Sequence, residues 1–273
     1  MKRTDLFHDV VLIAPAAIVF GAFFLLPLVH LVMVGGSGAG GFAVYGRILT
    51  DPLYLGSLIS TVALSTAVTA ATLAIAGIVG VFLSRHRFPG DTLLIALLTL
   101  PLAFPGVVVG FLVIMLAGRQ GLIGDISLWL FGDKLVFAYS MAGLFMGYVY
   151  FSIPRTVLTV MAAVEKLDPR LEEAARSLGA KPWHIVRDVI IPGLKPALLS
   201  AGAICFATAM GAFGTAFTLA TRINVLPMTI YTEFTLQANI AVAAALSFFL
   251  GAVTWTALAL ARTAAGTSVA AAG

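Results

Sequence analysis

Long apolar runs separated by short polar segments make up most of the 273-residue chain. The apolar residues do not alternate with polar ones, and each run reaches the roughly 20 residues that a helix needs to cross the hydrocarbon core of a membrane. Only 10% of the residues are charged and 60% are hydrophobic, whereas soluble domains carry about 25% charged residues. The pattern predicts an all-α integral membrane protein with about six spans, at residues 11–34, 57–83, 92–117, 135–161, 195–220 and 239–261.

The predicted spans form a single transmembrane domain over residues 11–262. A short segment, 1–10, precedes it, and a tail of small residues, 263–273, is expected to be disordered. The loop 35–56 opens with a glycine-rich run. We interpret this run as a flexible connector, because it follows an apolar span instead of a strand and lacks the context of a nucleotide-binding loop.

Lysine and arginine are unevenly distributed between alternate loops. If the N-terminus lies inside, the inner side holds Lys2, Arg3, Arg85, Arg87, Arg155, Lys166, Arg170, Arg176, Lys181, Arg187, Lys195 and Arg262, and the outer side holds Arg47, Arg119, Lys134 and Arg222. Cytoplasmic loops carry the excess of positive charge. We therefore predict that both termini are cytoplasmic, together with the longest polar segment, residues 162–194, called the charged loop below. The small net charge of +4 does not indicate nucleic-acid binding.

The charged loop has residues that predict two short helices. Asp168 is a suitable N-cap and Pro169 a suitable first helical residue, because the N–H that proline lacks would have no partner there. Gly179 suits the left-handed turn that ends a helix. Pro182 can begin the second helix, and Pro192 is expected to end it.

The second predicted helix is amphipathic, with the apolar residues Trp183, Ile185, Val186, Val189 and Ile190 set against Arg187 and Asp188. Such a helix can rest on the membrane surface, or it can dock against a soluble partner. Composition does not distinguish these two interpretations.

The spacing of Glu173-Ala174-Ala175, Gly179 and Val189-x-Ile191-Pro192 resembles the cytoplasmic EAA loop of ABC importer permeases. In that family E-A-A is followed after three residues by G, and after nine more by I-x-L-P. Val189 and Ile191 depart mildly from the pattern and keep its apolar character. The resemblance implies a six-helix bundle of the type I ABC importer permease kind in a bacterial inner membrane. It implies contact with an ATPase through Glu172, Glu173, Ala174, Ala175, Arg176, Gly179, Pro182, Trp183 and Pro192.

Members of the resembled family work with two ATPase subunits, a second permease subunit that is identical or related, and an external solute-binding protein. The chain itself has no phosphate-binding loop, so the resemblance implies that ATP and Mg are bound by the partner ATPase subunits and no cofactor by this chain. Sequence motifs of hydrolases and metal sites are also missing, so we expect a permease subunit that is not an enzyme and binds no metal. The four histidines, His8, His30, His86 and His184, are scattered, and Cys205 is expected to be a small buried hydrophobe.

Ionisable residues deep in a span would indicate a proton or ion path. We expect none, because the charged residues near spans are placed by the pattern at span ends, from which they can reach the interface: Asp9, Arg85, Asp91, Arg155, Lys195 and Arg262. This expectation disfavours a proton-coupled or sodium-coupled transporter. A stand-alone secondary transporter or channel, and a membrane scaffold that only recruits a partner, remain as alternatives.

The third and fifth predicted spans contain helix-breaking residues. Pro101 and Pro105 in the third span predict a hinge or a kink. In the fifth span two glycines flank Phe213, so that the backbone can bend and place side chains at a constriction. Met210, Phe213 and Phe217 are the resulting gate candidates, with ordinary packing as the alternative.

The same two segments resemble the permease subclass that carries polyamines, 2-aminoethylphosphonate, ferric iron or inorganic oxyanions. Ala212 stands where some members have an acidic residue, which weakens a sulfate or iron assignment. The segment 224–231 resembles polyamine-type permeases. A polyamine or similar small polar organic solute is therefore expected, with phosphonate, iron or an oxyanion as alternatives.

Overall fold

The computed structural model describes residues 3–219 and 223–265, with side chains for 11–219 and 223–264. Most of the predicted tail, 263–273, and the side chains of the segment 1–10 lie outside this description. Within it every regular element is a helix: α1 (Arg3–Phe20), α2 (Leu26–Gly35), α3 (Ala43–Thr50), α4 (Pro52–Arg85), α5 (Asp91–Thr99), α6 (Gly106–Ala117), α7 (Leu122–Phe131), α8 (Met141–Glu165), α9 (Pro169–Ser177), α10 (Pro182–Ile185), α11 (Ile191–Met210), α12 (Gly214–Leu219), α13 (Leu226–Tyr231) and α14 (Ile240–Ala265).

Wider π turns at Gly21–Leu25 and Val186–Ile190 connect neighbouring helices without a loop. A third π turn, Thr232–Leu236, follows α13 directly, and a 3₁₀ turn, Leu100–Ala103, follows α5 directly. In the described part of the chain six helical segments are long and apolar enough to cross a membrane: Val11–Gly35, Pro52–Arg85, Gly106–Phe131, Met141–Glu165, Pro182–Met210 and Ile240–Ala264. The predicted all-α class and the number of spans are confirmed. The third and fifth spans differ in their boundaries.

The predicted third span, 92–117, is not one helix. The 3₁₀ turn after α5 ends at Phe104, which is extended (φ −95°, ψ 131°), and Pro105 becomes the N-cap of α6. A residue before proline is forced towards extended geometry, so Phe104 cannot continue the helix. The prolines therefore separate two helices instead of kinking one, and the segment long enough to span begins at Gly106.

The predicted end of the second loop helix at Pro192 is wrong. Helix α10 passes through the π turn Val186–Ile190 directly into α11, and Pro192 lies in the first turn of α11. Proline within a helix removes one hydrogen bond and crowds the preceding turn, and a π turn placed just before it widens the backbone there. The fifth span and the second helix of the charged loop are consequently one continuous helical segment, Pro182–Met210.

Two compact units are distinguished by their internal contacts, one formed by residues 1–57 and 229–252 and the other by residues 58–228 and 253–273. In the first unit the glycine-rich run leads into α3, a helix that was not predicted from the sequence. The hydroxyl of Tyr45 donates to the carbonyl oxygen of Val32 at 2.9 Å. The Tyr45 ring also lies 5.7 Å from that of Phe248, edge to face. These tertiary contacts, which local sequence does not reveal, hold α3 in place.

In the second unit α6 and α12 approach closely at small residues. The hydroxyl of Thr215 donates to the carbonyl oxygen of Gly106 at 2.9 Å, and a Cβ at Gly110 would lie 2.6 Å from the Cβ of Thr218. Helices in membranes pack closely through such small residues. The core beside this contact includes the fully buried Leu144 and Leu219.

Candidate functional site

Helix α9 of the charged loop has the limits that its sequence predicts. The Asp168 carboxylate accepts a hydrogen bond from the backbone N–H of Arg170 at 3.0 Å, and Pro169 is the first helical residue. At the other end Gly179 has a φ of +80°, a left-handed conformation that glycine adopts without strain. The Ala180 N–H then donates to the carbonyl oxygen of Ala175 at 3.0 Å, which completes the cap. The loop therefore has a defined shape over this stretch.

An ion pair holds α9 to the end of α4. The Arg85 guanidinium pairs with Oε1 of Glu172, and the two side chains are only 24% and 13% exposed. The neighbouring Arg176 lies 4.0 Å from the other carboxylate oxygen of Glu172 and is 69% exposed. Of the two adjacent glutamates, Glu172 is thus directed inward, and Glu173 is exposed.

The amphipathic helix buries its apolar side against α8. Ile185, Ile190 and Leu194 form a buried cluster with Val160 and Val164 near the end of that helix. Next to this cluster the backbone at Gly193 approaches the Leu167 side chain so closely that a Cβ would lie 2.7 Å from Leu167 Cδ2. The helix is therefore packed on the protein itself.

The outer side of the charged loop carries apolar residues beside Glu173 and Ala174. Leu171 is 56% exposed, Leu178 89% and Trp183 65%. We call Leu171, Glu173, Ala174, Leu178 and Trp183 together the loop surface. Leu171 and Leu178 were missed in the sequence, although the spacing of Leu171, Ala174 and Leu178 places them on one helical face. Large exposed apolar side chains on a rigid element are typical of a surface that binds another protein.

The remaining predicted coupling residues have structural positions. Ala175 is half-buried against the apolar cluster. Pro182 begins α10, with Lys181 as its N-cap in extended geometry, and Pro192 lies in the continuous helix described above.

The three gate candidates do not share one environment. Met210 is fully buried at the end of α11. The rings of Phe213 and Phe217 lie 5.3 Å apart, and Phe217 is 46% exposed. The predicted bend is present, because the helix is interrupted between Met210 and Gly214. Tyr148 on α8 donates its hydroxyl proton to the carbonyl oxygen of Ala212 within this interruption.

An open groove runs between α8 and α11. One section is lined by Phe151, Ser152, Arg155, Thr156, Thr159, Ala201, Ile204, Cys205 and Thr208. A neighbouring section shares Ser152 and Thr208 and extends to the interruption at Gly211 and Ala212. The exposed lining of this groove is mainly apolar, and its polar side chains come from two spanning helices: Ser152, Arg155, Thr156, Thr159 and Thr208.

Arg155, which the sequence pattern placed at a span end, lies inside its helix and not at the end of it. Arg155 precedes the last residue of α8, Glu165, by about ten residues, or about 15 Å of helix at 1.5 Å per residue. The hydropathy pattern placed the fourth span at 135–161, whereas the helix is Met141–Glu165. Removing Arg155 from the count of inner charges leaves the uneven distribution of lysine and arginine in place. Among the described residues no group of three or more His, Cys, Asp or Glu side chains could hold a metal ion.

Comparison with known proteins gives a family match over most of the chain. The model of the family described as binding-protein-dependent transport system inner membrane component matches residues 73–265. The sulfate transport system permease protein CysT of Escherichia coli (strain K12) is 35% identical over 200 residues, 73% of this chain and 70% of that protein. The molybdenum transport system permease protein ModB of the same strain is 35% identical over 68% of this chain and 81% of that protein.

A more distant relative in Salmonella typhimurium (strain LT2), PhnU, is named for 2-aminoethylphosphonate transport and is 27% identical over 83% of this chain and 82% of its own length. Among solved structures, a chain of a bacterial ABC transporter involved in the import of the acidic polysaccharide alginate matches with a TM-score of 0.76 at 18% identity. The match covers 96% of this chain and 97% of that chain. At this identity the structural match bears on the fold.

Proposed function

Since the chain belongs to the binding-protein-dependent transport system inner membrane components and is a multi-pass permease subunit of an ABC importer, we propose that its charged loop is the contact through which a separate ATPase drives it. The observation that carries this proposal is the loop surface. It presents Leu178, Trp183 and Glu173 to solvent from a loop that is capped at both ends of α9 and anchored to α4. A rigid, partly apolar surface of this kind suits a soluble partner protein.

Different residues of the loop have different parts in this proposal. Glu173, Ala174, Arg176 and Trp183 contact the ATPase from the exposed side. Glu172 and Ala175 hold α9 on the chain, since the first pairs with Arg85 and the second packs inward. Gly179 supplies the turn, while Pro182 and Pro192 shape the helix that connects the loop to the fifth span.

The complex that we propose contains two ATPase subunits, a second permease subunit and an external solute-binding protein. ATP and Mg are bound by the ATPase subunits, and this chain contributes one half of the solute pathway. Both termini and the charged loop then lie in the cytoplasm, which agrees with the excess of lysine and arginine there. The ATPase-driven change between inward-open and outward-open states is a shift between two conformations that the partner binds differently.

For the solute we propose a small anion in preference to a polyamine, although the segment before the last span resembles polyamine-type permeases. The similar permeases CysT, ModB and PhnU are named for sulfate, molybdenum and 2-aminoethylphosphonate. A polyamine is a polycation, and the groove between α8 and α11 has a cationic side chain, Arg155, and no acidic one. Like charges repel most strongly where water is scarce.

The proposal is tested by purifying the tagged chain from its native membrane and assaying ATPase activity in the eluate. We expect wild type to retain an ATPase and Glu173→Lys to lose most of it, because the change reverses a charge on the loop surface. The matched control is Asp133→Lys, the same type of change at an exposed position outside the charged loop, where the carboxylate has no ion pair among the described residues. Loss of the ATPase from both variants, or from neither, would contradict the assigned role of the loop.

A second measurement distinguishes the alternative functions. Vesicles that contain the purified complex should accumulate solute only when ATP is enclosed with the ATPase subunits. Uptake by the permease alone would instead indicate a secondary transporter or channel. Partner binding without any uptake would indicate a scaffold.

A further inference from the structure

Arg155 is a charged residue in the interior of a helix that is long enough to span a membrane. On α11 its hydrogen-bond partner Thr208 is about 13 residues, or about 20 Å, beyond Lys195, the last charged residue of that segment. On α8 the nearer end of the helix is about 15 Å away. Arg155 therefore lies in the interior of a spanning helix, where charged residues are rare and indicate functional sites.

Arg155 has no carboxylate partner among the described residues. Its only hydrogen bond there joins Nη1 to the hydroxyl oxygen of Thr208 at 3.3 Å, and the side chain is exposed to the groove. A guanidinium has five N–H donors, so most of them are left without a protein acceptor. A charge in this state is costly against lipid, and such residues face a water-filled cavity or a charged partner.

The surrounding hydroxyls define what the groove can bind. Thr156 and Thr159 donate their protons to carbonyl oxygens of their own helix, and Thr208 does the same at 2.8 Å. The Thr208 oxygen therefore orients Arg155 by accepting from it. Ser152 is different: it lies one turn before Arg155 on the same face, lines both sections of the groove, and its hydroxyl makes no hydrogen bond to another described residue.

We propose that Arg155 and Ser152 form an anion-binding site in the solute pathway, where the guanidinium and the free hydroxyl donate to the oxyanion group of the passing solute. The planar guanidinium matches the geometry of carboxylate, phosphonate and sulfate oxygens. This assignment rests on the proposed function, because it requires the groove to face the pathway and not lipid. It predicts selection for anions by the permease itself, in addition to any selection by the binding protein.

The first test does not require the solute to be known. Cys205 is the single cysteine of the chain, so Cys205→Ala provides a background for Ile204→Cys, a 46% exposed position in the same groove. In the complete complex this cysteine should react with an anionic sulfonate-bearing methanethiosulfonate faster than with its cationic trimethylammonium analogue. The expected preference is about threefold or more above that of Phe42→Cys in the same background, a 64% exposed position in the loop between the first two spans.

Arg155→Gln should abolish this preference, and Arg155→Lys should retain it. Absence of reaction at Ile204→Cys would show that the groove is not in contact with water. An unchanged preference for the anionic reagent in Arg155→Gln would show that the arginine does not set the electrostatic potential in the groove. Either result would overturn the anion site and would leave the coupling loop untouched, because the ATPase pull-down is read separately.

The second test follows transport in reconstituted vesicles, with sulfate, molybdate, 2-aminoethylphosphonate and spermidine as probes. Arg155→Gln should lower uptake of the transported anion about tenfold or more, which corresponds to about 1.4 kcal/mol. Arg155→Lys should retain uptake, and both variants should keep the ATPase activity of the wild type. Uptake of spermidine alone would overturn the proposal. Loss of assembly in Arg155→Gln would also overturn it, because the arginine would then pair with the second permease subunit.

Discussion

Arg85 and Glu172, 87 residues apart in the chain, form an ion pair that joins the last residue of α4 to the first turn of α9. The pair is shielded from solvent on both sides. It is a polar connection between a spanning helix and the charged loop, and it holds α9 against α4. The hydrogen bond between charged groups is also more stable here than on an open surface.

Glu172→Gln and Arg85→Gln should each destabilise the loop by about 1–3 kcal/mol, because each leaves a partly buried charge without its partner. The double variant should lose less than the sum of the single variants. Thermal unfolding of the purified complex, followed together with the coupling of ATPase activity to uptake, measures both effects. Arg176→Gln is the matched control, since that exposed side chain is 4.0 Å from Glu172 and should contribute little. Strict additivity would contradict a direct interaction.

Leu178→Ser and Trp183→Ser should weaken binding of the ATPase about tenfold or more, because exposed large apolar residues on a docking surface become buried on association. The stability of the chain itself should change by less than about 0.5 kcal/mol, as expected for exposed positions. Titration of the purified ATPase onto the permease in detergent gives the affinity, and thermal unfolding gives the stability. A loss of stability equal to the loss of binding would indicate that these residues fold the loop and do not contact the partner.

Gly80→Ala and Gly77→Ala should have opposite effects although both lie on α4. A Cβ at Gly80 would lie 2.7 Å from Cγ1 of the buried Val160, whereas nothing lies within 4 Å of one at Gly77. The first substitution should cost about 1–3 kcal/mol through overpacking. The second should be neutral or stabilise by up to about 1 kcal/mol, since alanine is the better helix former. Unfolding of both variants in the same detergent is the measurement, and equal effects would mean that α4 and α8 are not packed as described.

Tyr54→Phe should destabilise the unit formed by residues 1–57 and 229–252. The hydroxyl of Tyr54 donates to Oε1 of Glu233 at 3.0 Å, Glu233 is 2% exposed, and its Oε2 has no partner among the described residues. Removing this donor from a buried carboxylate should cost about 1–3 kcal/mol. Glu233→Leu in the same chain should recover part of the loss. Tyr54→Phe with wild-type stability in thermal unfolding would contradict the role of this hydrogen bond.

The sequence was sufficient wherever a local rule determines the structure. Asp168 caps α9 and Gly179 ends it because each needs only its own backbone neighbourhood. Long apolar runs indicated six spans for the same reason, since length and hydropathy are properties of the segment itself.

Features that depend on contacts between distant residues were not predictable in this way. Pro192 was expected to end a helix, and the π turn that accommodates it follows no simple sequence signal. Arg155 was placed at a span end because hydropathy alone sets the boundary of α8 too early. The inward direction of Glu172 depends on Arg85, a residue on another helix.

The helical segment from Pro182 to Met210 is continuous, so it can act as a lever that connects the charged loop to the groove. Its 29 residues extend for about 43 Å, and its one departure from α geometry is the π turn. Trp183 is at one end of this lever and Thr208, the partner of Arg155, is close to the other. A tilt of about 5° about the middle of this segment moves its two ends by about 2 Å in opposite directions, so a displacement at the loop surface also moves the helix end that lines the groove.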